Sequence, residues 1–236
     1  MIPMKLSVII PVYNEERTLA EILRKVHAAG VHEILAVDDG STDGSWAALQ
    51  EASAAMPELK LLRHEANRGK GAAIRTALAV ATGDAVIIQD ADLEYDPAEY
   101  PTLLQPVESG RADVVYGSRI LGGNPASYRR YYWGGRFLSF ATNLLFGSRI
   151  TDQHTCYKLF RTDLLRSLPL RENGFGFCAE ATALLLKRGA RLVEVPVSYR
   201  PRSIGEGKKI RWHDGLRALW IVARIFVRGQ KSAKEG

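Results

Sequence analysis

The chain has 236 residues, 46% hydrophobic and 25% charged. This ordinary globular mixture excludes a disordered, collagenous or low-complexity chain and fits one large domain. The net charge of +6, with a pI near 9.4, favours anionic partners in general: phosphates, nucleic acid or an acidic lipid surface.

Two cysteines, Cys156 and Cys178, are too few for a disulfide framework or a structural zinc site. No run approaches the ~18–20 apolar residues of a membrane span. Met1 to Lys5 leads directly into a strand without a secretory pattern, so the expected compartment is the reducing cytoplasm. Leu6 to Ile10 is that strand, and Leu19, Ile22, Leu23 and Val26 mark one face of a helix after Glu15. Ile34 to Val37 is a second strand, followed by a turn through Asp38-Asp39-Gly40-Ser41 and a helix bearing Trp46, Leu49, Ser53 and Met56. Leu59 to Leu62, Ala85 to Ile88 and Val114 to Tyr116 are further strands. Between them lie helices marked by Ile74, Ala77, Leu78 and Ala81 and by Tyr100, Leu103, Leu104 and Val107. Apolar strands alternating with amphipathic helices predict an α/β domain with a mostly parallel sheet covered on both faces.

The second half is less regular. A helix rich in aromatic residues spans roughly Tyr131 to Phe146, Tyr157 to Phe160 suits a strand, Ala181, Leu184 and Leu185 a helix, and Leu192 to Val197 a strand. The basic segment from Arg200 to Trp212, with Pro201, Gly205 and Gly207, reads as a mobile loop. A last helix runs from about His213 to Val227.

Ligands of open parallel sheets bind beyond the carboxyl ends of the strands. Those places carry Tyr13 and Glu15 after the first strand, Asp38 and Asp39 after the second, Asp90, Asp92 and Glu94 after the fourth, and Arg119 after the fifth. In an extended segment Asp90, Asp92 and Glu94 point one way. Hard carboxylate oxygens at that density suit Mg²⁺ or Mn²⁺ together with substrate phosphates. A capped helix start at Asp96-Pro97 accounts for Asp96 only. Asp38-Asp39 serves equally as a plain turn or as an acceptor for a base or ribose. Asn67 to Gly71 lacks the spacing of a P-loop and suits either a lip over a nucleotide or a turn, and no G-x-G-x-x-G follows a strand.

In order along the chain, Val8 to Glu15, Val37 to Ser41, Asn67 to Gly71, Asp90-Ala91-Asp92, Gly117-Ser118-Arg119, Thr151 to Phe160, Glu194 to Pro196 and Gly205 to Lys208 resemble the family 2 glycosyltransferases of the glycosyltransferase A fold. Within them they look most like the polyprenyl-phosphate sugar synthases, the dolichyl-phosphate mannose synthase group. The resemblance implies that Pro11, Tyr13, Glu15, Val37 and Asp39 hold the nucleoside. It places Asp90 and Ala91 along the ribose and diphosphate, Asp92 and Glu94 on a metal, and Arg119, Arg202 and Lys208 on phosphates. The sequence departs from the mannose synthases at Glu94-Tyr95, where they usually carry Gln-His; a carboxylate there still suits a divalent cation. GDP-mannose leads as donor by resemblance, with UDP-glucose or a UDP-N-acetylhexosamine next, and inversion at the anomeric carbon is implied.

The expected reaction is metal-dependent transfer of a hexose to a polyprenyl phosphate. Asp90 and Asp92 are the catalytic carboxylates, and Arg119 with Arg129 or Arg130 orients the acceptor phosphate. A lipid monophosphate, with a second pKa of ~6, needs no general base; a hydroxyl acceptor would, and Asp152 and Glu180 are the candidates. A non-catalytic nucleotide-sugar-binding module is the alternative of another class. Residues 1–212 form the expected catalytic domain, a nucleotide half to about residue 119 and an acceptor half beyond it. Residues 213–236 form an amphipathic helix and polar tail. In that helix Leu216, Leu219, Trp220, Ala223 and Phe226 make a stripe suited to the sheet, leaving Ile221, Val222, Ile225 and Val227 outside among arginines. Such a helix suits the inner face of the cytoplasmic membrane, a homodimer or a membrane subunit. Nucleic acid is not expected, since no recognition motif accompanies the charge. The enzymatic assignment requires the carboxylates after the fourth strand to stay together, not spent on neighbouring lysines.

Overall fold

The computed structural model describes residues 4–124, 129–201 and 212–232, with the side chains of 129–132, 212–213 and 228–232 outside the description. Strands β1 (Leu6–Val12), β2 (Glu33–Asp39), β3 (Leu59–His64), β4 (Ala85–Ile88), β5 (Val114–Ser118), β6 (Lys158–Arg161) and β7 (Leu192–Pro196) form one sheet in the order β3-β2-β1-β4-β6-β5-β7. Its helices are α1 (Glu16–Ala28), α2 (Ser45–Ala55), α3 (Lys70–Val80), α4 (Tyr100–Glu108), α5 (Arg129–Phe146), α6 (Thr162–Arg166), α7 (Phe177–Lys187) and α8 (Trp212–Ser232).

Alternation along the strands makes three layers. In β1, Val8, Ile10 and Val12 face Leu19, Ile22, Leu23 and Val26 of α1 and Leu103 and Val107 of α4. Ile9, between them, faces the opposite layer with Ile74, Ala77 and Leu78 of α3. Every β1 residue but Pro11 is buried, as expected of a strand covered on both sides.

One strand breaks the parallel pattern. β6 lies antiparallel between β4 and β5, pairing Ile87 with Leu159 on one side and Val115 with Leu159 on the other. Its amino end, Lys158, therefore stands beside Ile88 and Tyr116, at the carboxyl ends of β4 and β5. An antiparallel strand delivers its preceding segment, here residues 151–157, to the rim where parallel strands deliver their following ones.

The last helix packs with the opposite face to the one the sequence suggested. Ala218, Ile221, Val222 and Ile225 are buried against Ala179 and Ala183 of α7, while Leu216 and Trp220 are 60% and 57% exposed. The partner is the helix pair α5 and α7, not the sheet. Both stripes have helical spacing, so periodicity alone does not choose between them. Small side chains on α7 do, because they let α8 approach closely. No described helix is long and apolar enough to cross a membrane.

Candidate active site

The loops after β1 and β2 are stitched together. Asn14, with φ of 52°, accepts from the Thr42 backbone N–H at 2.8 Å, and its own N–H donates to Ser41 Oγ at 3.1 Å. The Glu15 N–H donates to Ser45 Oγ at 2.9 Å. Pro11, Tyr13 and Glu15 are half-buried along this edge, and Val37 lies fully buried in β2. Asp38 accepts from Ser41 N–H at 3.2 Å and from Arg63 Nε at 3.1 Å, so it shapes the turn.

Asp39 is more committed than its sequence role allowed. It is buried, and its oxygens accept from the backbone N–H groups of Arg68 at 2.9 Å and Gly69 at 2.7 Å and bond His64 Nδ1 at 2.6 Å. Asp39 therefore holds the lip at residues 67–71. Gly69, with φ of +97°, and Gly71 lie so close to residues 172–173 that a Cβ would fall 2.5 Å from Asn173 O and 2.2 Å from Glu172 O, respectively.

The turn after β4 also corrects an expectation. Residues 91–95 are not extended: Leu93 has φ of 61°, and the Glu94 N–H donates to Asp92 Oδ1 at 3.2 Å. The strand alternation that would set Asp90, Asp92 and Glu94 on one side therefore does not apply here. Among the described residues no three His, Cys, Asp or Glu side chains gather closely enough to hold a metal ion. Asp90 is ion-paired with Lys70 Nζ, which also lies 3.3 Å from Cys156 Sγ. Burial alone would lower the Lys70 pKa, but the Asp90 charge holds it well above the usual lysine range. Lys70 takes Asp90, so the condition set from the sequence, carboxylates gathered and unspent, fails here, and the carboxylates by themselves do not carry an enzymatic assignment.

Asp92 and Glu94 are half-buried on the same turn as the Ala91 carbonyl, which accepts from Thr18 Oγ1 at 2.7 Å. Glu94 Oε2 accepts from Tyr199 Oη at 2.9 Å. Two carboxylates cannot cage Mg²⁺ or Mn²⁺, but these ions are commonly bound by one or two carboxylates plus phosphate oxygens and water. The donor set fits a cation shared with a diphosphate.

After β5 comes the best-defined cation of the site. Arg119 Nε and Nη2 donate to Asp152 Oδ2 and Oδ1 at 2.7 Å each, and the Arg119 backbone N–H adds a bond of 3.1 Å. Asp152 is buried, and burial would raise its pKa, but the bonds and charge of Arg119 outweigh that and hold it below the usual range. Glu194 of β7 accepts from the N–H groups of Thr151 and Asp152 at 2.7 and 2.9 Å and so fixes this segment. With both oxygens engaged by arginine, Asp152 is arranged to position Arg119, which weighs against the base role that a hydroxyl acceptor would ask of it. Glu180 is likewise buried, its Oε2 accepting from the backbone of Arg171 and Glu172 at 2.9 and 2.8 Å.

Tyr199 joins the two halves. Arg119 stacks over its ring at 5.1 Å, and its hydroxyl reaches Glu94. The path Asp152–Arg119–Tyr199–Glu94 thus links the rims of β5 and β4. Tyr199 and Lys70 were missed from the sequence as site residues. The rule of carboxyl ends, extended to β7, points to Tyr199. Arg202 and Lys208, with most of the basic segment 200–212, lie outside the described residues, as do the side chains of Arg129 and Arg130.

A three-layer α/β sheet whose carboxyl rim presents acidic side chains opposite a clamped arginine has the construction of an enzyme for phosphorylated ligands. The comparisons give the class its name. The chain belongs to glycosyl transferase family 2, whose sequence model matches residues 7–168, and is a glycosyltransferase. It is 33% identical to a polyprenol monophosphomannose synthase of Mycolicibacterium smegmatis, over 97% of this chain and 89% of that one. It is 31% identical to an undecaprenyl-phosphate mannosyltransferase of Micrococcus luteus, over 92% and 96%. A dolichol-phosphate mannosyltransferase of Pyrococcus furiosus is 31% identical over 87% of this chain, which spans only 59% of that relative's length. The fold matches a crystal structure of Mycobacterium tuberculosis glucosyl-3-phosphoglycerate synthase with a TM-score of 0.73 at 21% identity, covering 96% of this chain and 80% of that one. The glycosyltransferase A-type architecture is thereby shown.

Proposed function

We propose that the protein transfers a hexose from a nucleotide sugar, GDP-mannose in the first place, to a polyprenyl phosphate with inversion, at the inner face of the cytoplasmic membrane. The observation that carries this is the Arg119–Asp152 clamp at 2.7 Å. A guanidinium held on one side by a carboxylate and stacked on Tyr199 presents fixed positive charge at the rim of β5, suited to a phosphate. The relatives named as polyprenol and undecaprenyl-phosphate mannosyltransferases support the lipid phosphate and the mannose.

The nucleoside would lie along the edge made by Pro11, Tyr13 and Glu15, with the diphosphate over Ala91 and Asp92. Asp92 and Glu94 would hold Mg²⁺ or Mn²⁺, which supplies positive charge to the departing diphosphate. Solved neighbours contain Mn²⁺ or Mg²⁺ with UDP, which supports a cation of this kind. Lys70 holds Asp90 toward the lip through their ion pair. Arg119 orients the acceptor phosphate, which as a near-dianion attacks the anomeric carbon without a base.

A UDP-sugar donor is the second reading, favoured by 28% identity to a Methanococcus voltae enzyme named for transfer of N-acetylglucosamine from its UDP derivative to dolichyl phosphate. A hydroxyl acceptor is disfavoured, because Asp152 and Glu180 are both committed to neighbours. The test is a thermal-shift panel of GDP-mannose, UDP-glucose and UDP-N-acetylglucosamine with and without Mn²⁺, then transfer of labelled sugar. Ligand at a hundredfold over its Kd stabilises the fold by about 2.7 kcal/mol, so the right donor stands out. Label should pass into organic solvent with undecaprenyl phosphate, and EDTA or Asp92→Ala should abolish it. Label that stays in water overturns the lipid acceptor.

A further inference from the structure

Residues 197–200, which follow β7, are tied to the rims of both β4 and β5. The Arg200 N–H donates to the Glu94 carbonyl at 2.9 Å. The Tyr199 N–H donates to Asn124 Oδ1 at 2.9 Å, and Asn124 Nδ2 donates in turn to the carbonyls of Arg119 at 3.0 Å and Val197 at 2.6 Å. The backbone at residue 199 is therefore fixed toward Glu94 on one side and toward Arg119 on the other.

The Tyr199 side chain repeats that division. Its Oη donates to Glu94 Oε2 at 2.9 Å, and its half-buried ring meets the Arg119 guanidinium at 5.1 Å and the Tyr95 ring at 5.3 Å. Tyr95 is buried and stacked on Tyr157 at 4.8 Å, so the Tyr199 ring rests on a fixed base. Glu94 and Tyr95 are the two positions at which the sequence departs from the mannose synthases, and both meet at Tyr199.

We propose, resting on the roles given above to Glu94 and Arg119, that Tyr199 is a positioning residue with two separable parts. Its hydroxyl aims the Glu94 carboxylate at the cation, and its ring seats Arg119 for the acceptor phosphate. A hydrogen bond to a metal-holding carboxylate fixes how that group presents its oxygens, and losing such a partner costs about 10–100-fold in metal affinity. A guanidinium stacked on an aromatic face keeps its planar fork in one orientation.

One side chain serves both ends because the reaction needs both in register. The departing diphosphate and the attacking phosphate must lie in line across the anomeric carbon, where a displacement of about 1 Å costs about 10²-fold in rate. Asp152 holds Arg119 from the β5 side, through bonds of 2.7 Å. It does not set the guanidinium relative to Glu94; Tyr199, which contacts both, does. Phenylalanine at position 199 keeps the seat and loses the aim, and leucine loses both.

The full chain is titrated with Mn²⁺ in the presence of GDP or of UDP, free Mn²⁺ being read by electron paramagnetic resonance, and separately with geranyl phosphate by calorimetry. Tyr199→Phe should weaken Mn²⁺ binding roughly 10–100-fold, leave geranyl phosphate binding as it was, and recover sugar transfer as Mn²⁺ is raised. Tyr199→Leu should weaken both, geranyl phosphate by roughly tenfold, and regain little transfer from added Mn²⁺. On a Glu94→Gln background, Tyr199→Phe should add no further loss of Mn²⁺ affinity. Unchanged Mn²⁺ affinity in Tyr199→Phe, with a lower melting temperature as its only effect, overturns the proposal. So does full additivity with Glu94→Gln. Either result leaves the proposed function standing where the wild type binds Mn²⁺ and geranyl phosphate; a wild type that fails to bind them overturns both.

Discussion

Asp152 is engaged by Arg119 through both carboxylate oxygens, an arrangement that suits positioning the guanidinium. Two charge-assisted bonds of 2.7 Å hold the Arg119 guanidinium in a single plane, and Glu194 fixes the backbone beneath. Asp152→Asn should keep the shape and lose the counter-charge. We expect the acceptor KM to rise roughly tenfold, with the pH dependence of kcat unchanged. A proton-abstracting role predicts instead a fall in kcat of about 10²–10⁴-fold and loss of the acid limb. Steady-state kinetics across pH separates the two. Lys70 makes the complementary case: its type and place in Asn67–Gly71 are visible in sequence, but its partner, twenty residues away, is visible only in the fold.

The lip between β3 and α3 owes its course to close backbone approach. Gly71 sits against the Glu172 carbonyl so tightly that a Cβ would stand 2.2 Å from it, and backbone atoms there cannot move aside as a flexible side chain would. Gly71→Ala should cost about 1–3 kcal/mol and reduce the thermal shift given by nucleotide sugar, since the lip and Lys70 move together. Gly134→Ala, in an open stretch of α5, should stabilise by about 0.5–1 kcal/mol and leave the thermal shift alone. Differential scanning fluorimetry of both variants checks the contrast. The strands and helices around this lip were legible in the sequence, because alternating apolar runs and 3.6-residue periods are imposed by burial on two faces. The lip's contact with residues 172–173 was not, because nothing in a local pattern records which distant carbonyl a glycine must pass.

At the scale of the molecule, acid should lower the stability of the protein in two stages. His154 is held near a pKa of about 4 by burial and by the neighbouring Lys158 charge, against 6.5 unfolded. Burial raises the Glu33 pKa, but bonds from Lys60, Ser7 and Thr82 outweigh it and hold it at about 2, against 4.5. Both pKa values are depressed on folding, so the unfolded chain binds protons first and stability falls as pH falls. About 2–3 kcal/mol should go between pH 6.5 and 4 through His154, and a comparable amount between 4.5 and 2 through Glu33. Urea titrations against pH should show the first limb flattened in His154→Gln and the second in Glu33→Gln.

The sequence by itself determined the elements, the α/β class, the family and the rim where acidic residues collect, since each follows from spacing along the chain and from the burial that spacing permits. Only the tertiary structure decided which groups meet. It placed β6 antiparallel, bringing Asp152 to Arg119, and curled the Asp90–Glu94 segment so that strand alternation no longer sets its three carboxylates on one side. It chose the buried stripe of α8 and turned the other outward beside α5. In each case two arrangements satisfy the same periodicity, and the choice falls to long-range packing and charge pairing that no local pattern encodes.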